Sequence, residues 1–288
     1  MAQKLVFIHA LTPLHAGTGQ GVGAIDLPIQ RERATNLPFL PGSSIRGCLR
    51  DSMADNKHLL ALFGSERGVL EPLAGALRVG DAHLLLLPVR CLGATFAWVT
   101  SPFLLHRLTR SARAVGFANI PAVPTLQDGQ TLLASMDSTV QVGGSPRLVL
   151  EDLDFTPATD PANWCDWIAN LLFPDAKDPW RAEFKKRFAI IDDKNFDFLA
   201  EFATEVNAHV AINDSTGTVE DGALWYQEAL PAESILCGIL QADKPRSGDR
   251  NITAQSLLDE VKQTTSVQFG GKAGTGQGVA RFIPVGAA

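Results

Sequence analysis

The sequence predicts an α+β fold in which a sheet of short strands packs against helices, as in ferredoxin-like and RNA-recognition-motif-like domains. Residues 4–11 form an apolar run that alternates like a strand, and residues 280–285 form a second strand near the other end of the chain. Short apolar segments and helix signals alternate between them. In this topology the first and last strands are antiparallel neighbours. The loop after the first strand should therefore meet the loop before the last.

The first half of the chain has clear helix starts between apolar strands. After a loop rich in glycine and proline, Ser43 and Ser44 predict the cap of a helix that buries Ile45. The apolar pieces within residues 77–99 predict buried strands. A Ser-Pro pair then predicts a helix to about residue 114, because proline is favoured in the first helical turn.

The second half begins with less regular sequence. Residues 116–160 lack a clear period and predict irregular structure with short strands at most, and two helices are expected at 164–173 and 180–188. A strand at AIIDD, a helix at NFDFLAEFA and a strand at EVNAHVAIN follow. Residues 224–230 and 235–240 are expected to continue the sheet, and Thr253 to cap a last helix.

Composition and charge define the broad class of the protein. With 288 residues and 45% hydrophobic content the chain can fill a substantial core. No stretch predicts a signal peptide or a membrane span, so a cytoplasmic protein is expected. The four cysteines form no C-x-x-C pair, which disfavours a zinc site or a disulfide framework.

The net charge of −6 comes from the middle of the chain, because residues 147–235 hold 7 Lys and Arg against 18 Asp and Glu. This acidic region is either a solvated surface or a surface that packs against basic neighbours. Residues 1–146 and 236–288 are locally basic.

The heptapeptide AGTGQGV occurs twice, at Ala16–Val22 and at Ala273–Val279. Alternate glycines allow positive φ and let successive backbone N–H groups converge on an anion, of which phosphate is the expected one. A dinucleotide-binding turn is disfavoured because no helix follows the first copy, and a Walker loop because no Gly-Lys-Ser/Thr follows. Plain connecting turns remain an alternative, although they do not explain two identical copies. The candidate phosphate-binding residues are Gly17, Gly19, Gly21, Gly274 and Gly276, with Lys272 beside the second copy.

The segment LPGSSIRGCLRD provides a second candidate anion site. Ser43 and Ser44 lie at a helix start, where free N–H groups and the helix dipole attract anions. Arg46 and Arg50 follow one turn apart. A surface helix with ordinary arginines is the alternative. Together with the glycine loops, the segment favours binding of an RNA backbone.

Taken as a whole, the sequence resembles the RAMP superfamily of CRISPR proteins and, within it, the backbone subunit of the Cmr (type III-B) effector complex. The resemblance covers nearly the whole chain. It rests on LTPLHAGTG, GAIDLPIQRE and LPGSSIRGCLRD near the start, on GDAHLLLLPVRC and WVTSPFLLHRL in the centre, and on IIDDKNFDFLAEFATEV, TGTVEDGALWYQEALP and VQFGGKAGTGQGVARF further on.

The resemblance implies a single RAMP-type domain over residues 1–288. About residues 1–115 and 189–288 would form an RNA-recognition-motif-like palm with a β-hairpin thumb, and about residues 116–188 a helical or irregular insertion, the fingers. Copies would stack head to tail along a CRISPR RNA that they bind without sequence preference. Other Cmr subunits and a complementary target RNA are the further expected partners. No interaction with a membrane is expected. Apolar hairpin residues would wedge between bases.

The resemblance further implies a target-RNA endonuclease with an acidic residue after the first strand, matched here by Asp26. Its carboxylate would bind a divalent cation, Mg²⁺ or Mn²⁺, or help to activate the ribose 2′-hydroxyl, which would leave a 2′,3′-cyclic phosphate. His15 and Glu228 are further catalytic candidates, although Gln227 departs from the acidic pair expected there. Trp225 and Tyr226 would stack on a base or be buried strand aromatics.

Two alternative functions stay open at this point. A related RAMP subunit would bind the guide RNA and scaffold the complex without cutting. A metabolite or nucleotide enzyme would use the glycine loops for a small phosphorylated ligand and would be indifferent to RNA.

Overall fold

The structure is a computed structural model that describes residues 1–19, 21, 25–66, 68, 70, 72–133, 139–142, 147–158, 163–245, 251–262 and 264–287. Its strands are β1 (Ala2–Ala10), β2 (Phe39–Leu40), β3 (Leu77–Val79), β4 (Ala82–Arg90), β5 (Phe96–Thr100), β6 (Gln130–Leu133), β7 (Leu148–Leu150), β8 (Leu153–Pro157), β9 (Phe188–Ile191), β10 (Glu205–Ile212), β11 (Val219–Ala229), β12 (Ile235–Ala242), β13 (Thr264–Gln268) and β14 (Val279–Val285). Its helices are α1 (Gly42–Ser52), α2 (Leu59–Phe63), α3 (Pro102–Val115), α4 (Asn163–Leu172), α5 (Pro179–Arg187), α6 (Asp193–Phe202) and α7 (Ala254–Glu260).

One large, mostly antiparallel sheet organises the chain, in the order β13-β14-β1-β12-β4-β5-β9-β6-β8-β7, with β2 paired to β4 and β3 to β12. The exceptions to antiparallel pairing are β5 with β9 and β6 with β8. β1 and β14 are antiparallel neighbours in a register that sets Ala10 opposite Ala280. The predicted α+β class is therefore confirmed, as is the pairing of the first and last strands.

The sheet is covered on both faces at β1, whose residues from Leu5 to Ala10 are all buried. On one face Lys4 forms an ion pair with Asp259 of α7 at 2.7 Å. On the other face His9 contacts the ring of Phe173 edge-on, just after α4. Successive side chains of a strand point to opposite faces of the sheet, so Lys4 and His9 lie on opposite faces. The sheet face on which RNA-recognition motifs stack bases is therefore closed here.

The strands β10 and β11 form a separate two-stranded hairpin. The prediction that residues 224–230 continue the main sheet was wrong, because the turn around Asn213 joins β10 directly to β11 and makes the local pairing available first. Apolar alternation identifies a strand but not its partner. One face of the hairpin is apolar and exposed, with Val206, Val210, Ile212, Val219, Leu224 and Tyr226.

Residues 116–188 contain the short strands β6 to β8 and the helices α4 and α5, which confirms the predicted elements of this segment. The three strands extend the far edge of the main sheet. The Thr253 side chain caps α7 by accepting from Ser256 N, as predicted. The palm, thumb and insertion boundaries stay a prediction.

The four cysteines are free thiols, two of them buried. Cys237 is half-buried, and desolvation of its thiol raises the pKa to about 12, so this thiol is protonated at neutral pH. None of the helices in the described part of the chain is both long and apolar enough to cross a membrane.

Candidate nucleic-acid interface

The two glycine loops meet at one end of the sheet, as the topology predicts. The Leu11 N–H donates to the Val279 carbonyl at 2.8 Å, and the Gly278 N–H donates to the Pro13 carbonyl at 2.8 Å. Further along, the Gly271 N–H donates to the His15 carbonyl at 2.9 Å. Backbone hydrogen bonds therefore join both ends of the chain at this site.

The identical heptapeptides adopt different backbones. Gly19 and Gly276 occupy matching positions and both have φ of 78°. The second copy continues through a 3-10 turn (Ala273–Thr275) to Gly278 at φ 83°, whereas Gly21 has no positive φ. Gln20 and Val22 of the first copy lie outside the described residues. The sequence therefore predicted two loops correctly but not two conformations, which are set by what each loop packs against.

A glycine pair within the second loop provides a matched stability test. A Cβ at Gly278 would lie 2.0 Å from the Phe269 carbonyl oxygen, whereas a Cβ at Gly274 would meet nothing within 4 Å. We expect Gly278→Ala to lower the free energy of unfolding by about 1–3 kcal/mol, or more if Phe269 cannot move, because the site combines positive φ with a backbone clash. Gly274→Ala should stay close to wild type. Chemical denaturation of both variants measures this, and equal stability would contradict the assigned packing.

A groove with a volume of about 420 Å³ opens between the first glycine loop, residues 270–272 just before the second glycine loop, and the start of α1. It contains Gly17, Gly19, Ser44 and Lys272 from the predicted RNA-binding set. The other members of that set are absent from the groove lining as far as the described residues show, namely Gly21, Ser43, Arg46, Arg50, Gly274 and Gly276. Its lining comprises His15, Ala16, Gly17, Thr18, Gly19, Leu27, Pro28, Gln30, Pro41, Ser44, Gly270, Gly271 and Lys272.

The start of α1 differs from the predicted serine cap. The N-cap residue is Pro41, which makes no side-chain cap bond, and the Gly42 N–H instead donates to Asp81 Oδ1 at 2.7 Å. Ser43 and Ser44 lie inside the first turn. The serine cap was wrong because a carboxylate from a distant loop supplies the acceptor, a contact that local sequence cannot reveal. Ser44 still reaches the groove.

Arg46 and Arg50 hold the C-terminal end of α2 rather than lining the groove. The Arg46 guanidinium lies 5.5 Å from the Phe63 ring centroid and donates to the Phe63 carbonyl. Burial, aided by the charge of Arg50, lowers the pKa of Arg46. Arg50 donates to the Gly64 carbonyl at 3.4 Å. Within the described residues, Lys272 is thus the one Lys or Arg side chain in the groove lining.

Asp26 is exposed and lies beside the hairpin. Its Oδ2 accepts the Tyr226 backbone N–H at 2.8 Å. Leu27 continues this contact as a parallel bridge to Gln227, with its N–H donating to the Tyr226 carbonyl at 3.0 Å. The segment with Asp26 is therefore an added edge on β11. Gln227 is itself buried and donates to the Gln277 side chain at 2.6 Å, which connects the hairpin to the second glycine loop.

Tyr226 and Trp225 occupy opposite faces of the hairpin. The Tyr226 side chain is 41% exposed, so the buried alternative does not apply to it. Trp225 stacks on His209 with ring centroids 5.6 Å apart. Tyr226 is thus the aromatic side chain that stands open to solvent beside Asp26.

His15 forms the floor of the groove. Its side chain is buried, and its Nδ1 lies 2.7 Å from the Glu228 carbonyl oxygen. A Cβ at Gly17 would lie 2.7 Å from His15 Nε2, so glycine lets the first loop fold over the imidazole. His15 therefore fastens the first loop to β11 and faces the groove from below.

Glu228 is buried and forms an ion pair with the partly buried Arg31, a pairing that the sequence did not predict. Arg31 Nη2 donates to Glu228 Oε1 at 2.6 Å, and the side chains are 16% and 4% exposed. The Ile29 N–H donates to Glu228 Oε2 at 3.0 Å, and the Thr204 hydroxyl to Oε1 at 3.0 Å. Both carboxylate oxygens are occupied. Glu228 thus holds residues 29–31, just beyond Asp26, against the hairpin and α6.

Among the described residues, Asp26 offers a metal ion one carboxylate oxygen that accepts no hydrogen bond. No group of three or more His, Cys, Asp and Glu side chains is arranged for a metal in the part of the chain that the structure describes. Asp26 Oδ2 accepts the Tyr226 N–H, which leaves Oδ1. Mg²⁺ is commonly held by one or two carboxylates together with substrate phosphates and water, so Asp26 fits a cation that RNA helps to bind.

Comparisons with known proteins agree with this architecture. The family model of the RAMP superfamily matches residues 7–281. The CRISPR system Cmr endoribonuclease Cmr4 of Pyrococcus furiosus is 33% identical over 287 residues, covering 96% of this chain and 94% of the relative. The CRISPR system CMR subunit Cmr4 of Saccharolobus solfataricus is 22% identical over 96% of this chain and 94% of the relative.

Solved structures show the same fold. Oligomeric Cmr4 from Pyrococcus furiosus superposes with a TM-score of 0.76 at 24% identity, covering 100% of this chain and 99% of that chain. A chain of the type III-B Cmr-beta complex bound to cognate target RNA superposes with a TM-score of 0.73 at 19% identity. The superposition covers 99% of this chain and 97% of that chain. The chain therefore belongs to the RAMP superfamily and, within it, to the family of the Cmr4 subunit of CRISPR Cmr systems.

Proposed function

We propose that this chain is the guide-binding backbone subunit of a type III-B Cmr complex and that it cleaves target RNA paired with the guide. One observation carries the proposal: the two AGTGQGV loops meet beside Asp26, at the end of a sheet whose faces are closed to bases. The name of the Pyrococcus relative as an endoribonuclease and the target-RNA complex among the structural neighbours support it. Further copies of this chain and other Cmr subunits are its partners.

The guide backbone binds in the groove between the first glycine loop and residues 270–272, which lead into the second. Backbone N–H groups and one cation contact phosphate without contacting base edges, so binding is independent of sequence. Lys272 supplies the cation. It lies in the left-handed region at φ 66°, on the rim that the second loop forms.

Lys272→Asn is expected to weaken guide binding equally for unrelated RNA sequences. Asparagine tolerates the left-handed backbone, so the loop should keep its shape. Losing one phosphate contact should reduce the slope of log affinity against log salt by about 0.7 for single-stranded RNA. Filter binding at several salt concentrations measures the slope. Lys57→Asn, an exposed lysine outside the groove, is the matched control. An unchanged slope for Lys272→Asn would remove Lys272 from the interface.

Asp26 acts on the target strand. The target's own 2′-hydroxyl loses its proton as its oxygen attacks the adjacent phosphorus, and the 5′-oxygen leaves with a proton. The products are a 2′,3′-cyclic phosphate and a 5′-hydroxyl. Asp26 either accepts the 2′-hydroxyl proton or holds, with the phosphate oxygens, a Mg²⁺ or Mn²⁺ ion that would neutralise the developing charge.

The other predicted site residues support the site without taking part in the chemical step. His15 and Glu228 hold the first loop and residues 29–31 on β11, and the exposed ring of Tyr226 stacks on a base beside Asp26. The apolar face of the β10–β11 hairpin is our candidate for the thumb, which separates neighbouring bases.

RNA that co-purifies with the chain tests the function as a whole. We expect small RNAs that share a fixed 5′ tag. RNA of random composition, or saturable binding of a free nucleotide by an RNA-free chain, would instead support the unrelated enzyme class. A tagged guide without any target cleavage by the assembled complex would leave the non-catalytic RAMP subunit as the function.

A further inference from the structure

A chain of hydrogen bonds runs from the second glycine loop to the strand that holds Asp26. The Gln277 N–H, in the loop, donates to the Lys272 carbonyl at 3.3 Å. The Gln277 side chain accepts from Gln227 Nε2 on β11 at 2.6 Å. One residue before Gln227, the Tyr226 N–H donates to Asp26 Oδ2 at 2.8 Å. A single bond between two side chains therefore links the proposed guide-binding loop to the proposed catalytic residue.

The Lys272 carbonyl organises the loop end of this chain. Besides the Gln277 N–H it accepts the Thr275 N–H at 3.0 Å and the Thr275 hydroxyl at 2.9 Å. The Gln277 carbonyl in turn accepts from Gln268 Nε2 at 2.6 Å. Because these bonds start from the residue whose ammonium group is assigned to the guide, a phosphate bound there would restrict the turn and with it Gln277.

The strand end of the chain lies at the base of a hairpin. β10 and β11 pair with each other and not with the main sheet, and a two-stranded hairpin is by itself only marginally stable in water. Leu224, further out on β11, is 54% exposed, whereas Gln227 is 2% exposed. A buried amide needs a hydrogen-bond partner, and for Gln227 this partner belongs to the second loop. The position of the base of β11 therefore depends in part on that loop.

We propose that the Gln227–Gln277 hydrogen bond couples guide binding to cleavage, so that RNA on the second loop fixes β11 and Asp26 in the reactive position. Gln227 is a positioning residue, because its amide bonds to the loop and Asp26 is held by the neighbouring backbone. Cleavage is sensitive to position, since a misplacement of about 1 Å can cost about 10²-fold in rate. The coupling rests on the proposed guide binding at Lys272 and the proposed cleavage by Asp26.

Single-turnover cleavage by the assembled complex tests the bond. Gln227→Met and Gln277→Met keep an unbranched side chain but remove the amide. At guide and target concentrations that saturate each complex, each variant should cleave about 10-fold more slowly, as expected for a slightly misplaced reacting group. The double variant should be no slower than either single variant, because all three lose the same bond. Gln127→Met, at an exposed glutamine before β6, should cleave like wild type.

Unfolding measurements on the same variants separate positioning from stability. Gln277→Met leaves the buried Gln227 amide without its acceptor, whereas Gln227→Met leaves a half-buried amide that water can reach. Gln277→Met should therefore be the less stable of the two. A merely structural role predicts that cleavage follows this order of stability, but the coupling predicts equal cleavage. Gln277→Glu keeps an acceptor oxygen for Gln227 and should recover most of the cleavage rate.

Hydrogen exchange of the full chain gives a readout that does not need cleavage. Saturating single-stranded guide RNA should slow exchange of the backbone amides of residues 224–230, and the slowing should be about 3-fold or more greater in wild type than in Gln277→Met. Direct contact of RNA with the hairpin would protect both proteins equally, so the difference measures the link through the loop.

The possible outcomes distinguish the coupling from the proposed function. Wild-type cleavage by both methionine variants would overturn the coupling, as would additive losses in the double variant or equal protection of wild type and Gln277→Met. A wild-type complex that leaves the target intact would instead overturn the proposed cleavage, and the exchange difference would then decide by itself whether RNA restrains β11. A chain that binds no RNA would overturn both.

Discussion

An assembled complex that carries Asp26→Asn is expected to lose target cleavage by about 10²- to 10⁴-fold, the range that one proton-transfer group contributes. Asparagine keeps the size of the side chain, and its carbonyl oxygen can still accept the Tyr226 N–H that Asp26 Oδ2 accepts now. The backbone of the first loop should therefore not move. What is lost is the negative charge that the free carboxylate oxygen provides for the 2′-hydroxyl proton or for a cation. Single-turnover cleavage of a labelled complementary RNA measures the effect.

Guide binding is the internal control for this variant, because Asp26 makes no contribution to the groove lining. Affinity for guide RNA should stay at the wild-type value. Asp55→Asn, an exposed aspartate in the turn after α1, should cleave normally. Wild-type cleavage at the same regular sites by the Asp26→Asn complex would show that catalysis belongs to another residue or another subunit.

Glu228→Ala is expected to lower the free energy of unfolding by about 3 kcal/mol, the lower end of the range for a buried ion pair, because it leaves the partly buried Arg31 guanidinium with carbonyl acceptors but without its counter-charge. The same change removes the acceptor of the Ile29 N–H and the Thr204 hydroxyl. Residues 29–31 would lose their attachment to β11, so target cleavage should fall together with stability. Urea unfolding and the cleavage assay, performed on the same preparations, measure the two effects.

Two further variants separate a positioning role of Glu228 from a catalytic one. Glu228→Gln keeps both acceptor positions in part and should recover part of the stability and part of the cleavage rate. Glu220→Ala, an exposed glutamate on the same strand, should change neither quantity. If Glu228→Gln were as stable as wild type and yet inactive, Glu228 would have a direct chemical role, which its occupied oxygens do not suggest.

Much of the fold was predictable from local sequence. The helices after Pro102 and at residues 163–172 follow from proline placement and from apolar periodicity, which act within a few residues. The Thr253 cap is equally local. The assignment of β11 failed because strand pairing is a long-range choice: the alternation of residues 224–229 fits either the sheet or the hairpin.

Some residues of the candidate site could likewise be predicted from the sequence, and others could not. The glycine loops and Lys272 could be named because the repeated motif has local meaning, and Asp26 could be named because the family resemblance matches it to an acidic residue after the first strand. Arg31 could not be identified as the partner of Glu228, since 197 positions separate them along the chain. Asp81 likewise could not be identified as the acceptor for the Gly42 N–H at the start of α1, because the two residues are far apart in the sequence.

The sequence by itself determined that this chain is an α+β protein of the RAMP type, with two glycine loops that meet because the first and last strands pair. Backbone propensities, the repeated motif and one topological rule were sufficient. Only the tertiary structure decided which residues are available to RNA. Burial and pairing place Glu228, Arg31, Arg46 and His15 in supporting contacts and leave Asp26 and Lys272 exposed. Solvent access depends on which distant segments pack together, so it cannot be predicted from a local sequence pattern.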